Sequence, residues 1–192
     1  MTTSSQLDGA VARMLSAKTL HDSVHYGGAV AANELPDPLT FHKAVAAAGK
    51  SYGRIIVNYS ARGNAEGGTH WCGVGITLNG PSVWFDSFGM SPDAEDIVFR
   101  QLEGHDFTTH FYEWLLDAAE VAGLPRTKDS VLYSPHRMQG KKSDVCGEYS
   151  SWFVAHGLPG PEKKAWKKIL ALSTAGARDK QVKRLVGIRP AR

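Results

Sequence analysis

THWCGVGITLNGPSVWFDSFG, residues 69–89, is the stretch on which the fold turns. Two β-rich blocks, WCGVGITL (71–78) and SVWFDSF (82–88), flank Asn79-Gly80. That dipeptide favours tight hairpin turns because both residues tolerate positive φ. The spacing predicts an antiparallel hairpin, and GRIIVNY (53–59) supplies a further strand upstream. Working outward, the apolar period changes from two to 3.6. Leu7, Val11 and Leu15 recur at helical spacing behind Ser4 and Ser5. TFHKAVAAAG places Thr40 as the N-cap of a second helix, with Gly49 just past its end. Downstream, Ser91-Pro92 followed by Asp93, Glu95 and Asp96 reads as a helix start. A further helix is expected from roughly Thr109 to Ala122, then a strand in SVLYSPH (130–136). The loop MQGKKSDV delivers the chain to an apolar helix, CGEYSSWFVAH, closed by Gly157 and Pro159. Helices flanking a central run of strands predict an α+β fold with a central mixed sheet.

Composition bounds the function. At 192 residues and 42% hydrophobic, the chain suffices for one domain, 1–192, with a core of its own. No apolar run approaches the length of a bilayer span, and MTTSSQLDGAVARML lacks the features of a secretory leader. No membrane association is expected, and a monomer is. Cys72 and Cys146 are the two cysteines, too far apart in sequence to suggest a disulfide framework, so a reducing intracellular setting is expected. No CxxC pair exists, and neither His21/His25 nor His105/His110 brings a third ligand at helical spacing, so no metal is expected. The net charge is +3, unevenly spread: from Glu162 to Arg192 ten Lys/Arg face Glu162 and Asp179, a local +8. That basic helical segment, 161–192, with Trp166 among its lysines, is open to three readings: a nucleic-acid (DNA) surface, a site for an acidic partner, or a solvated helix face.

The cysteines differ in setting. Cys146 opens a predicted helix directly after Ser143, Asp144 and Val145, where backbone N–H groups and the helix dipole favour a thiolate. Gly147 allows close approach of a substrate backbone, and Gln139 lies close enough in sequence to place an amide near the same spot. Cys72 lies in mid-strand, with the character of a small buried hydrophobe. His70 shares a strand face with Cys72, while Asp86 stands across the hairpin from His70 and can orient its imidazole. Trp71 is a candidate to roof the site or to pack in the core.

Together GTHW, WFDSFG and MQGKKSDVCG, in that order, resemble the cysteine endopeptidases of adenoviruses (adenain). More distantly they resemble the ubiquitin-like-protein proteases that share that fold. The matched motifs span about residues 68–150, and SSQLDGAVARML is similar to the adenoviral N-terminal helix. The resemblance implies an adenain-like fold with the nucleophile at a helix N-terminus. It implies His70 and Asp86 as catalytic base and orienting acid, Gln139 in the oxyanion hole and Cys146 as nucleophile. Trp71 and Gly147 become substrate-binding candidates. Implied function is endopeptidase cleavage beside glycine, at Gly-Gly or Gly-X-Gly sites, in virion maturation; the related branch instead removes ubiquitin-like tags. An aspartate at position 86 matches that branch, adenoviral enzymes having glutamate. Virion or host nucleus is the implied location. Activation by DNA, through 162–192, or by a peptide is implied as well, but with no third cysteine a disulfide-tethered peptide is not. No cofactor is expected.

Overall fold

The computed structural model describes residues 2–16, 23–59, 70–94, 110–141, 143–160 and 163–188. Among these, five strands form one mixed sheet in sequence order: β1 (Val24–Ala31), β2 (Tyr52–Asn58), β3 (Trp71–Thr77), β4 (Gly80–Phe85) and β5 (Val131–Tyr133). The central three pair antiparallel, while β1 and β5 run parallel to β2 and β4. Helices α2 (Pro38–Ala47) and α3 (Phe111–Val121) cover one face. The other face carries α1 (Ser4–Ser16), α4 (Cys146–His156), α5 (Lys164–Leu170) and α6 (Ala175–Val186). The architecture is α+β, with helices on both sides of the sheet.

Strand periodicity sorts the core. Ile55, Val57, Cys72, Val74 and Trp84 point toward Phe41, Phe111 and Leu115, whereas Ile56, Trp71 and Phe85 point toward Leu7, Tyr149, Phe153 and Trp166. Burial on both faces is why these strands read as nearly continuous apolar runs. Each such large side chain removed from water contributes about 1.5–3 kcal/mol, so this double-sided packing fixes β3 and β4 firmly.

Several local expectations are corrected. The hairpin forms, but Thr77 pairs with Gly80, so Leu78 and Asn79 make the turn and neither Asn79 nor Gly80 has positive φ. Asp37 rather than Thr40 caps α2: its carboxylate accepts from the Thr40 amide at 2.9 Å and hydroxyl at 3.1 Å, with Pro38 at the first position. In SVLYSPH only Val131–Tyr133 is strand, and Pro135, lacking an N–H, cannot extend the ladder. Strand β1 was masked in the sequence by Gly27-Gly28. Gly28 has φ +98° where the pairing shifts between Tyr26 and Ala29, and a Cβ on Gly27 would sit 2.8 Å from Phe41 and from Ile55. His25 is thus a strand residue; its companion His21 lies outside the described residues, as do His105, Glu95 and Asp96. No helix among the described residues is long and apolar enough to cross a membrane.

Candidate active site

His70 immediately precedes β3 and Asp86 immediately follows β4. Antiparallel pairing, with Gly73 opposite Phe85, brings these two ends to the same edge of the hairpin. There His70 Nε2 lies 2.7 Å from Asp86 Oδ1. The other carboxylate oxygen accepts from the Met90 amide at 2.9 Å, so a tight turn after β4 holds the acid. Both residues are buried. The His70 ring is flanked by Tyr59, stacked at 6.0 Å, and by Phe88 at 5.1 Å. Burial by itself depresses the imidazole pKa, but the hydrogen bond to Asp86 and the hydrogen bond and charge of Cys146 outweigh it, pushing His70 up to about 10. The ring is held between the Asp86 carboxylate and the Cys146 side chain.

Cys146 is the first residue of α4, and its N-cap, Val145, makes no side-chain cap. The helix therefore starts without a side chain competing for its first amides. How α4 is seated explains why the thiol reaches His70. A Cβ on Gly73 would lie 2.4 Å from the Phe153 ring, so only glycine lets the helix settle this close to β3. Phe153 then stacks on Phe85 with centroids 5.1 Å apart and planes 4° from parallel. Ser150 Oγ donates to the Trp71 carbonyl at 3.0 Å. At the far end, the partly buried Arg54 guanidinium donates to the carbonyls of Phe153 at 3.2 Å and Val154 at 2.5 Å. Since Nε2 of His70 is committed to Asp86, its Nδ1 is the nitrogen left to the Cys146 thiol.

Gln139 is buried in the loop ahead of α4. Its Oε1 accepts from Ser87 Oγ at 2.6 Å and its Nε2 donates to the Ser143 carbonyl at 2.6 Å. The amides of Met138 and Gln139 both donate to the Ser87 carbonyl, at 2.9 and 3.0 Å. One turn, residues 86–89, thus holds both the acid and the glutamine loop. The second Nε2 hydrogen of Gln139 is not needed by Ser143 and can serve a further acceptor.

The remaining candidates fall elsewhere. Trp71 is buried in the core beside Leu7 and donates from Nε1 to the Thr2 carbonyl at 3.3 Å. A Cβ on Gly147 would meet Leu7 at 2.9 Å and Thr2 at 3.6 Å, so this glycine admits α1 and the segment before it. Cys72 is fully buried, with Sγ 3.8 Å from Asp86 Oδ1. His70, Cys72 and Asp86 place donor atoms within 4.8 Å of one another, the one such set among the described residues that could hold a metal. Yet the 2.7 Å separation of Nε2 and Oδ1 is shorter than the roughly 3.3 Å that two ligands span across tetrahedral zinc with bonds near 2.0–2.1 Å. This is hydrogen-bond spacing. Trp166 is buried and donates from Nε1 to the Gly157 carbonyl at 2.9 Å, so it presents no face for stacking. Sequence patterning did not reveal Tyr59, Ser87 or Phe88 as part of the site; the only signal was the position of the last two, beside Asp86.

No family model matches this chain, and no curated protein matches it at a significant level. Among solved structures it is similar to the central domain of the uncharacterized Lpg1148 protein from Legionella pneumophila, with TM-score 0.49 and 14% identity over 97% of each chain. At that distance nothing about chemistry passes from one chain to the other.

Proposed function

We propose that the protein is a cysteine endopeptidase of the adenain-like kind, cleaving beside glycine and processing viral capsid or core precursors. One observation carries the chemistry: a buried imidazole held between the Asp86 carboxylate and the thiol of Cys146, itself at the start of a helix. His70 takes the Sγ proton, and the thiolate attacks the carbonyl carbon of the scissile bond. The Cys146 amide and the free hydrogen of Gln139 Nε2 hold the developing oxyanion. His70 then returns its proton to the leaving amine as the C–N bond breaks, giving a thioester. Water, deprotonated by His70, attacks the thioester, releases the acid product and restores the thiol. The glycine preference and the viral substrates rest on the sequence resemblance.

A second reading is favoured by Asp86, the acid that matches the ubiquitin-like-protein proteases: an isopeptidase that removes folded tags after Gly-Gly. Chemistry is shared, so substrates separate the two. The test has two stages. Alkylation of each cysteine is followed by mass spectrometry near pH 6, in wild type and His70→Ala. Cys146 should react far faster than Cys72 and lose that advantage without His70; equal, slow reaction of both would sink the thiolate–imidazolium pair. Glycine-containing peptides and folded tag fusions then discriminate: cleavage of short peptides supports the endopeptidase, cleavage of tag fusions alone the isopeptidase.

A further inference from the structure

The basic C-terminal segment does more than present charge. Its last helix, α6, turns Arg178 and Asp179 toward the loop that carries Gln139. Asp179 is only 9% exposed, and both of its oxygens are engaged. Oδ2 accepts from the Gly140 amide at 3.3 Å and Oδ1 from the Tyr149 hydroxyl at 3.1 Å. The same hydroxyl lies 3.4 Å from the Met138 carbonyl. Arg178 complements this on the acceptor side, donating from Nε to Met138 O at 3.1 Å, from Nη2 to Arg137 O at 3.5 Å and from Nη1 to Leu172 O at 2.8 Å. A Cβ on Gly140 would stand 3.2 Å from Asp179 Oδ2, so the residue after Gln139 leaves room for the carboxylate and little else. The Gln139 side chain, by contrast, is held by Ser87 and Ser143. The hairpin thus grips the glutamine side chain, while α6 grips the backbone on either side of it.

We infer that Asp179, assisted by Arg178, is a positioning residue for the oxyanion loop, a role that rests on the thiol-hydrolase chemistry proposed for Cys146. Burying a carboxylate is costly unless donors meet it, and here a loop amide and a core hydroxyl do so. Removing the carboxylate takes the acceptor from the Gly140 amide, leaves the Tyr149 hydroxyl only the longer contact to the Met138 carbonyl, and frees the Gly140 backbone, without touching Cys146, His70 or Asp86. Oxyanion donors act only at fixed geometry, so a loosened loop costs turnover more than substrate binding.

The test uses the full chain with Asp179→Ala, Asp179→Asn, Tyr149→Phe and Gln139→Ala. Hydrogen–deuterium exchange follows residues 136–143, iodoacetamide alkylation reports the Cys146 thiolate, and kcat and KM are measured on a fluorogenic Gly-Gly peptide. Asp179→Ala should speed exchange in the loop while leaving β3, α4 and the alkylation rate unchanged. Its kcat should fall by about 10²-fold, the scale of a lost oxyanion donor, with KM little altered. Asp179→Asn should restore most of that loss, because a carboxamide can accept from Gly140 and donate to the Tyr149 oxygen. On a Gln139→Ala background Asp179→Ala should add little. If Asp179→Ala fails to fold, Tyr149→Phe should show a smaller loss of the same pattern. The role is overturned if loop exchange is unchanged, if alkylation falls in parallel with kcat, or if the losses multiply with Gln139→Ala. A wild type whose Cys146 is no more reactive than Cys72 overturns the hydrolase chemistry instead, and with it the role of Asp179 in turnover, while exchange still decides whether α6 holds the loop.

Discussion

The two cysteines sit on opposite faces of one sheet, and both reach the same histidine–aspartate pair. Cys72 points toward Val57, Val74 and Trp84 beneath α3, with its sulfur 3.8 Å from Asp86 Oδ1. Cys146 belongs to the other face and hydrogen-bonds His70. Burial does not separate them. What differs is the charge each sulfur meets. Cys72 faces the Asp86 carboxylate, whereas Cys146 faces the His70 ring and stands at a helix N-terminus. Backbone matters as well: Cys72 is locked into the ladder opposite Val57, while Cys146 stands where helix amides have no intrahelical partner. On the chemistry proposed, nearness to the histidine–aspartate pair is therefore not enough for reactivity; the group that faces each sulfur decides it.

That contrast can be broken most severely by exchanging which sulfur is present. Cys146→Ala should reduce peptide hydrolysis by about 10⁴-fold or more, the scale of losing a triad function. Cys72→Ser, measured on the same fluorogenic substrate, should leave kcat close to wild type, and a comparable collapse would assign Cys72 a part in the reaction. Asp86→Asn should cost nearly as much as losing the nucleophile, because the amide favours the wrong tautomer of His70. Its signature would be a slowed alkylation of Cys146 with Cys72 unaffected.

A gentler probe is pH. His70 is raised from 6.5 to about 10 in the folded protein, so its partners favour the protonated ring. The resulting stabilisation is complete below about pH 6.5 and is lost as pH rises through about 10. In urea titrations the stability gap between wild type and His70→Ala should be widest near pH 6 and narrow steadily on the alkaline side. A gap that widens toward alkaline pH would contradict a cationic His70. Smallest in its effect on the fold is Gly73→Ala, whose added methyl meets the Phe153 ring. Overpacking of this kind costs typically about 1–3 kcal/mol, read as a shift in the urea midpoint. Cys146 alkylation should slow at the same time, because α4 is displaced from β3.

Much of this arrangement was legible in the sequence, for reasons that can be stated. The change from period two to period 3.6 marks the sheet and its helices, and a hairpin forces residues just outside its two strands together, which is how His70 and Asp86 meet. A cysteine at the start of an apolar helix is legible for the same kind of reason: local order fixes its surroundings. β1 was not legible, because Gly27-Gly28 interrupts the alternation that would mark it. Nor were Tyr59, Ser87, Phe88 and Asp179, whose roles arise from contacts between distant segments that leave no periodic trace. The C-terminal segment shows the limit most clearly: composition gives its charge, but not that Trp166 is buried or that Arg178 spends its donors on backbone carbonyls.

Arg54 has a mechanical consequence. By holding the carbonyls at the far end of α4 from within β2, it acts as a stop against sliding of that helix along its own axis. One residue of slip would move the helix, and Cys146 with it, about 1.5 Å along its axis. The place of Cys146 at one end is therefore kept by a cation anchored at the other, and on the chemistry proposed, wear at that anchor would surface as a fault in thiol reactivity.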